Sequence, residues 1–308
     1  MLEKLTFLSW KEGSTTWKLA DLIRTLYANL GGGMDVAART DSSGGLDLIR
    51  QIARGNFDLL ATYPHAAKWA IEGRFAYAGE SLPNLRAVAL VDRPSWVMVA
   101  FAKETGIQNM QQIRERKQSL RLIITGKDSL TGEIDRACLF EHGFSEQDIT
   151  SRRWRIFELF KDFDQPQIGP YLRDDKADGI VTYGEPLLRF WQEASVWRDL
   201  NYLSLEPDVI DRVSVRYGVR PGTVQSGTFR GQREDVRTVV YPGWVILCRA
   251  DLKSETTYNL AKQLDLNSEA LISSAGRFSF NGNRAWRDTG VQLHEGAARY
   301  YGERGYFG

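Results

Sequence analysis

Four stretches of the chain place small and hydroxyl residues where an apolar run gives way to a helical pattern. They are Gly13-Ser14-Thr15-Thr16, Asp41-Ser42-Ser43-Gly44, Thr125-Gly126-Lys127-Asp128-Ser129 and Thr182-Tyr183-Gly184-Glu185. The first N–H groups of a helix have no intrahelical partners and carry partial positive charge. Small residues let a ligand approach and hydroxyls add donors, so each junction is a generic receptor for an anion. Ser and Thr also cap helices with no ligand at all. For one such loop capping is the stronger reading; four on the same sheet edge move the balance toward binding. Trp17 follows directly on the first hydroxyl run and is the best-placed aromatic side chain to touch a ligand. His65, in Tyr63-Pro64-His65 after a strand, is a further candidate for lining the site.

Signals for catalysis are poor. GxGxxG and GxSxG are absent, and Gly126-Lys127 lacks the upstream glycine of a phosphate-binding loop. His294-Glu295 starts like HExxH, but position 298 is Ala. His142 falls at a helix end, where a positive charge on the surface is favoured. Cys138 and Cys248 fit neither a zinc site nor a CxxC pair, and their apolar surroundings predict buried free thiols. No cofactor or metal is expected.

The bulk numbers are those of an ordinary globular protein. A chain of 308 residues is long enough for two lobes, each with its own core. A net charge of +1 supplies no field to drive it onto nucleic acid or anionic lipid. No apolar stretch approaches the ~18 residues of a membrane span. The start, MLEKLTFLSW, shows no secretory signal. That leaves either a cytoplasmic chain or one whose signal has been removed and a start Met added.

The elements that must position these loops alternate. Strand patterns at 34–40, 57–62, 120–126 and 178–184 are each followed by a helical one, which predicts an α/β fold with mainly parallel sheets. Leu19, Leu22, Ile23, Leu26, Tyr27 and Leu30 mark the first helix, stopped by Gly31-Gly32-Gly33. Pro186 reads as the first turn of another. Two strand pairs, 85–91 with 96–102 and the halves of 236–250, are interrupted by prolines. They read as two hinge crossings, giving lobe 1 from 1–94 and 242–308 and lobe 2 from 95–241. A ligand cleft is expected between such lobes.

The chain resembles the TAXI-type solute receptors of TRAP transporters, which are type II periplasmic binding proteins. The resemblance runs over nearly the whole chain. EGSTTW stands where the family has a Gly-Gly-Thr-Tyr-Tyr-like loop, and TDSSGGLDLIRQIARGNFDLL matches a segment like TGGSxENLRLLxxGxADLG. LPNLRAVALV, GQREDVRTVVYPGWVILCRADL and the tail LHEGAARYYGERG are similar to further family signatures, and GKDSLTG loosely matches PGSGT. The resemblance implies a two-lobed fold and capture of a small organic acid for delivery to TRAP membrane subunits. It also implies a monomeric, periplasmic or extracytoplasmic protein without catalysis. It carries ligand contacts onto Ser14, Thr15, Thr16 and Trp17, onto Ser42 and Ser43, onto Tyr63 and His65, and onto Lys127, Ser129 and Thr131. Tyr183 joins them from its own junction. The sequence departs from the family at Tyr63-Pro64-His65, where Gln-Ser-Asp is common, at Thr16-Trp17 in place of Tyr-Tyr, and at Lys127. The rival readings are an enzyme on the same fold, such as a decarboxylase using His65, Lys127 or Glu185, and a cytoplasmic ligand sensor.

Three hydrogen bonds to a charged ligand supply about 4.5–9 kcal/mol. Association costs at least about 4 kcal/mol, and micromolar affinity needs about 8 kcal/mol net. Polar donors alone fall short, so Trp17 or Tyr63 must add apolar contact. The expected ligand is a carboxylate with an apolar or aromatic body.

Overall fold

A computed structural model describes residues 3–40, 44–116, 118–151, 154–159, 161–162, 165–185, 189–274 and 276–307. Its strands are β1 (Lys4–Ser9), β2 (Gly33–Ala38), β3 (Leu59–Thr62), β4 (Leu85–Ala102), β5 (Arg121–Thr125), β6 (Arg155–Leu159), β7 (Gly179–Gly184), β8 (Leu200–Leu203), β9 (Arg220–Val224) and β10 (Val236–Arg249). Its helices are α1 (Thr15–Ala28), α2 (Leu46–Ala53), α3 (Pro64–Glu72), α4 (Met110–Arg116), α5 (Gly132–Phe140), α6 (Glu146–Ser151), α7 (Ile168–Arg173), α8 (Arg189–Trp197), α9 (Pro207–Tyr217), α10 (Ser254–Leu266), α11 (Ser268–Ser273) and α12 (Glu295–Glu303). The chain divides into two compact units, Met1–Arg93 with Gly243–Gly308, and Pro94–Pro242.

In the first unit β1 pairs in parallel with β2 and β3, and β3 pairs antiparallel with the far end of β10, Val245 opposite Thr62. All four residues of β3 are buried, as a central strand covered on both faces requires. The apolar stripe of α1 buries Leu19, Ala20, Ile23, Leu26 and Tyr27. Leu30, placed on that stripe by spacing, lies past the end of the helix and is exposed. Tyr301 of α12 donates from its hydroxyl to the Val88 carbonyl at 3.2 Å and fixes the tail on β4.

In the second unit β5 lies between β6 and β7, all parallel; β4 runs antiparallel to β7 and β8, and β9 to the first half of β10. Met98, Ile123, Phe157, Ile180 and Trp191 are among the side chains of its core. The predicted α/β fold with a mostly parallel central sheet is therefore what forms.

The two expected strand pairs do not form. β4 and β10 are each one continuous strand through Pro94 and Pro242. A proline removes one ladder donor, but its φ near −65° is compatible with an extended chain. Pro186 lies outside the described residues.

The turn from β5 into α5 is closed on itself. A Cβ on Gly132 would lie 1.8 Å from the Gly126 carbonyl oxygen, so only glycine fits there. Gly132→Ala is expected to destabilise the protein by roughly 1–3 kcal/mol. Gly33→Ala, whose Cβ would lie 3.6 Å from the nearest side-chain atom, should change stability by no more than about 0.5 kcal/mol. Denaturant midpoints of the two variants check this; equal midpoints would refute the steric argument.

Candidate functional site

Each unit builds its own polar helix start. In the first unit Ser14 is the N-cap of α1, its hydroxyl accepting from the Trp17 N–H at 3.2 Å. The buried Thr16 hydroxyl shares hydrogen bonds with Ser9 at 3.0 Å and Ser14 at 3.2 Å. It also accepts from the Trp10 N–H at 3.4 Å. Ser14 and Thr16 thus spend their bonding on the junction itself: Ser14 caps the helix, and Thr16 ties its first turn to Ser9 of β1. Thr15 and Trp17 are half-buried and keep an accessible face. The first turn of α1 contains no acid, so its partial positive charge is not offset from within.

Tyr63 caps α3 by backbone position and Pro64 opens the helix. Tyr63 is 3% exposed and stacks on Trp244 with centroids 4.3 Å apart. His65 stacks on Tyr63 at 5.4 Å and tilts against Trp69 at 4.9 Å. These aromatic rings form one buried series from β10 through the end of β3 into α3. The structure therefore brings Tyr63 and His65 together as packing partners. Trp244, 8% exposed, has its indole N–H buried without a hydrogen-bond partner among the described residues, and so has the Thr62 hydroxyl. Sequence reasoning passed over Trp244; its one signal is its position directly after Pro242-Gly243, where a hinge crossing is expected. Ser42 and Ser43 lie outside the described residues.

In the second unit the Ser129 hydroxyl donates to the Gly126 carbonyl at 2.7 Å and accepts from the Gly132 N–H at 3.1 Å. Thr131 donates to Asp135 at 3.0 Å. Lys127 is exposed at the tip of the same loop. Tyr183 is half-buried, and its carbonyl accepts from the Trp191 indole at 2.9 Å. The structure thus groups Lys127, Ser129 and Thr131 at one turn, with Ser129 and Thr131 committed to holding it.

The group that sequence reasoning missed is Asp135, 0% exposed in the first turn of α5. Its carboxylate accepts from Thr131 and, at 3.1 Å, from the Tyr241 hydroxyl on β10. The Thr125 hydroxyl and the Tyr183 N–H complete the shell. Thr125 in turn shares a 2.7 Å hydrogen bond with Thr182. The only signal in the sequence is the spacing of Thr131 and Asp135, one helical turn apart.

A groove of about 860 Å³ elsewhere in the second unit is lined by Lys103, Gln108, Tyr202, Glu206, Arg233 and Arg237, among others. None of the predicted site residues lines it.

A model of the NMT1-like family matches residues 12–305 of the chain. The chain belongs to the NMT1-like family. Its structure is similar to the periplasmic binding protein BugD, with a TM-score of 0.55, 10% identity, and coverage of 98% of this chain and 94% of that one. It is also similar to a TctC solute-binding protein from Polaromonas, with a TM-score of 0.53, 9% identity and 98% of both chains covered. The aliphatic sulphonate-binding protein SsuA from Escherichia coli gives a TM-score of 0.51 and 11% identity over 98% of this chain and 84% of that one. At such identities the likeness carries the fold: this NMT1-like chain has the fold of periplasmic solute-binding proteins. The TAXI resemblance is a narrower statement than these matches make.

The histidines of this NMT1-like chain correct an expectation. His142 is buried, not on the surface: its Nδ1–H donates to the Cys138 carbonyl at 2.8 Å, and Nε2 accepts from the Glu206 N–H at 3.2 Å. Burial holds its pKa below the ordinary value, which suits a neutral structural tie. Cys138 and Cys248 are both buried free thiols, pushed up by burial. Among the described residues no group of His, Cys, Asp and Glu is arranged to hold a metal ion, and no helix is long and apolar enough to cross a membrane.

Burial pushes the Asp135 pKa up to about 7, against the four hydrogen bonds that favour the ionised form. In the unfolded chain the same carboxyl titrates near ~3.9. Between these values the folded chain binds more protons, so this group stabilises at low pH and loses that contribution as pH rises through about 7. The span is on the order of 4 kcal/mol for a shift of this size. Urea midpoints between pH 4.5 and 8 should therefore fall with pH in the natural chain more steeply than in Asp135→Asn. Parallel profiles would show that Asp135 titrates normally.

Proposed function

We propose that this NMT1-like protein is an extracytoplasmic solute receptor that captures a small organic carboxylate and delivers it to a membrane transporter of the TRAP type. The observation that carries the reading is the start of α1. Its hydroxyls are ordered by a cap, its first turn holds no acid, and Thr15 and Trp17 remain accessible beside it. An unoffset helix start with an aromatic neighbour suits an anion with an apolar or aromatic body. Lys127, exposed on the closed Gly126–Gly132 turn, is a cation available to an anionic ligand. The fold shared with solute-binding proteins supports the receptor class, and the TAXI-like segments support the transporter type. Ser14, Thr16, Ser129 and Thr131 are proposed to act on the ligand by fixing these turns, with Thr15, Trp17 and Lys127 making the contacts. Tyr63 and His65 set the packing beneath, and Ser42, Ser43 and Tyr183 remain proposed contacts.

An enzyme on the same fold is the second reading, and Asp135 is the observation that favours it. A carboxyl with a pKa near 7 is what general acid–base chemistry uses. Asp135 is enclosed by its own donors, which places it behind the loop rather than against a substrate. Incubating candidate acids with substoichiometric protein separates the readings: the receptor depletes none of them.

The decisive measurement is a thermal-shift panel of aliphatic, amino-acid and aromatic acids with neutral sugars as controls. An apolar or aromatic acid is expected to stabilise most. On that acid Thr15→Ala, Trp17→Ala and Lys127→Ala should each weaken binding, the Lys127 change by roughly 10- to 100-fold, the loss of one hydrogen bond to a charged group. A sugar as best ligand, or unchanged affinity in all three variants, would leave the hydroxyl run as a cap only.

A further inference from the structure

We propose that an anionic solute is captured together with one proton, which comes from water and settles on the Asp135 carboxyl. This rests on the carboxylate reading above and adds how the affinity is set.

The start of α5 offers one region of positive potential, and the chain already places an acid inside it. Asp135 is in the first turn, enclosed, and its partners are all neutral: the hydroxyls of Thr125, Thr131 and Tyr241 and the Tyr183 N–H. A second anion at the Gly126–Thr131 turn meets a like charge that is hydrogen-bonded to this turn through Thr131. Like charges at close range raise the proton affinity of the buried one. Coupling is reciprocal, so the proton in turn strengthens binding of the anion.

The hydrogen-bond shell accommodates both charge states. With Asp135 ionised, Thr125 donates to it. With Asp135 protonated, the carboxyl donates to Thr125 and the Thr125–Thr182 bond, at 2.7 Å with either hydroxyl able to donate, runs in the opposite sense. No side chain has to leave its place. Tyr241 is the last residue of β10 before Pro242-Gly243, so the same carboxyl is tied to the strand that leads out of this unit.

Several titratable groups surround Asp135. Cys138 and Tyr217 are held protonated by burial, and His142, at the far end of α5, is held toward its neutral form. Arg136 is paired with Glu158 of β6, and Arg212 and Arg216 of α9 with Glu141. Glu133 is half-buried in the first turn of α5, and Lys127 and Asp128 are exposed on the loop. Glu185, just past the end of β7, is the one other buried carboxyl among the described residues. Asp135 itself sits near pH 7, poised to change state.

The test uses benzoate, phenylacetate, pyruvate and glutamate, acids whose carboxylates stay ionised from pH 6 to 8.5, with benzamide as neutral control. Affinity is measured by calorimetry across that range, and proton uptake with an indicator dye in weakly buffered solution at pH 8. For an acid that binds, about one proton is expected to be taken up per ligand at pH 8, and affinity should fall about tenfold per pH unit above 7. Asp135→Asn, an uncharged mimic of the protonated side chain, should abolish both uptake and pH dependence. Glu185→Gln should leave both in place; if instead it abolishes them, the assignment to Asp135 is overturned. Binding of an acid to the natural chain with no proton uptake and a flat pH profile overturns the inference and leaves the carboxylate reading standing. Failure of all four acids to bind at any pH overturns both.

Discussion

A carboxylate buried without a cation must be satisfied wholly by neutral donors, and the second unit is arranged around that requirement. Asp135 draws donors from four places: the end of β5, the start of α5, the end of β7 and β10. Each donor fixes the element that bears it. The Gly126–Gly132 turn can approach closely enough only because residue 132 has no side chain. Remove the carboxylate and three hydroxyls and an amide lose their common acceptor; leaving buried donors unsatisfied costs about 1–3 kcal/mol each.

The first unit solves the same positional problem with surface instead of charge. Tyr63, His65, Trp69 and Trp244 bury stacked rings where the second unit buries polar groups. Aromatic pairs contribute about 0.5–1.5 kcal/mol each beyond area burial. The edge at β3 is thus packed with rings, while the edge at β5 and β7 carries a buried carboxyl whose pKa burial pushes up.

Much of this was legible in the sequence because helical and strand periodicities report burial directly. The stripe of α1, the buried run of β3 and the junctions after β5 and β7 all follow from spacing. The continuity of β4 and β10 was hidden because proline is read as a break, while an extended strand accepts its φ. Histidine at the end of a helix suggested a charge on the surface; tertiary packing made His142 a neutral tie to Glu206 instead. Asp135 and Trp244 were illegible for a shared reason: each acquires its character from partners distant in sequence. Tyr241 lies over a hundred positions from Asp135, and Tyr63 lies far from Trp244. Residue type and local spacing carry no trace of such contacts.

The hydroxyl runs show what residue type alone can and cannot say. Ser14 and Thr16, like Ser129 and Thr131, are hydrogen-bonded within their own turns. A ligand would gain little by competing for them, because each bond made would cost one broken. Thr15, Trp17 and Lys127, groups of the same stretches that are not enclosed, are the ones proposed to add interaction energy on binding. Their neighbours supply what makes that energy usable. A turn that already holds one geometry loses little conformational entropy when the ligand arrives, and this preorganisation, rather than the number of hydroxyls, sets how much of the gross contact energy survives as affinity.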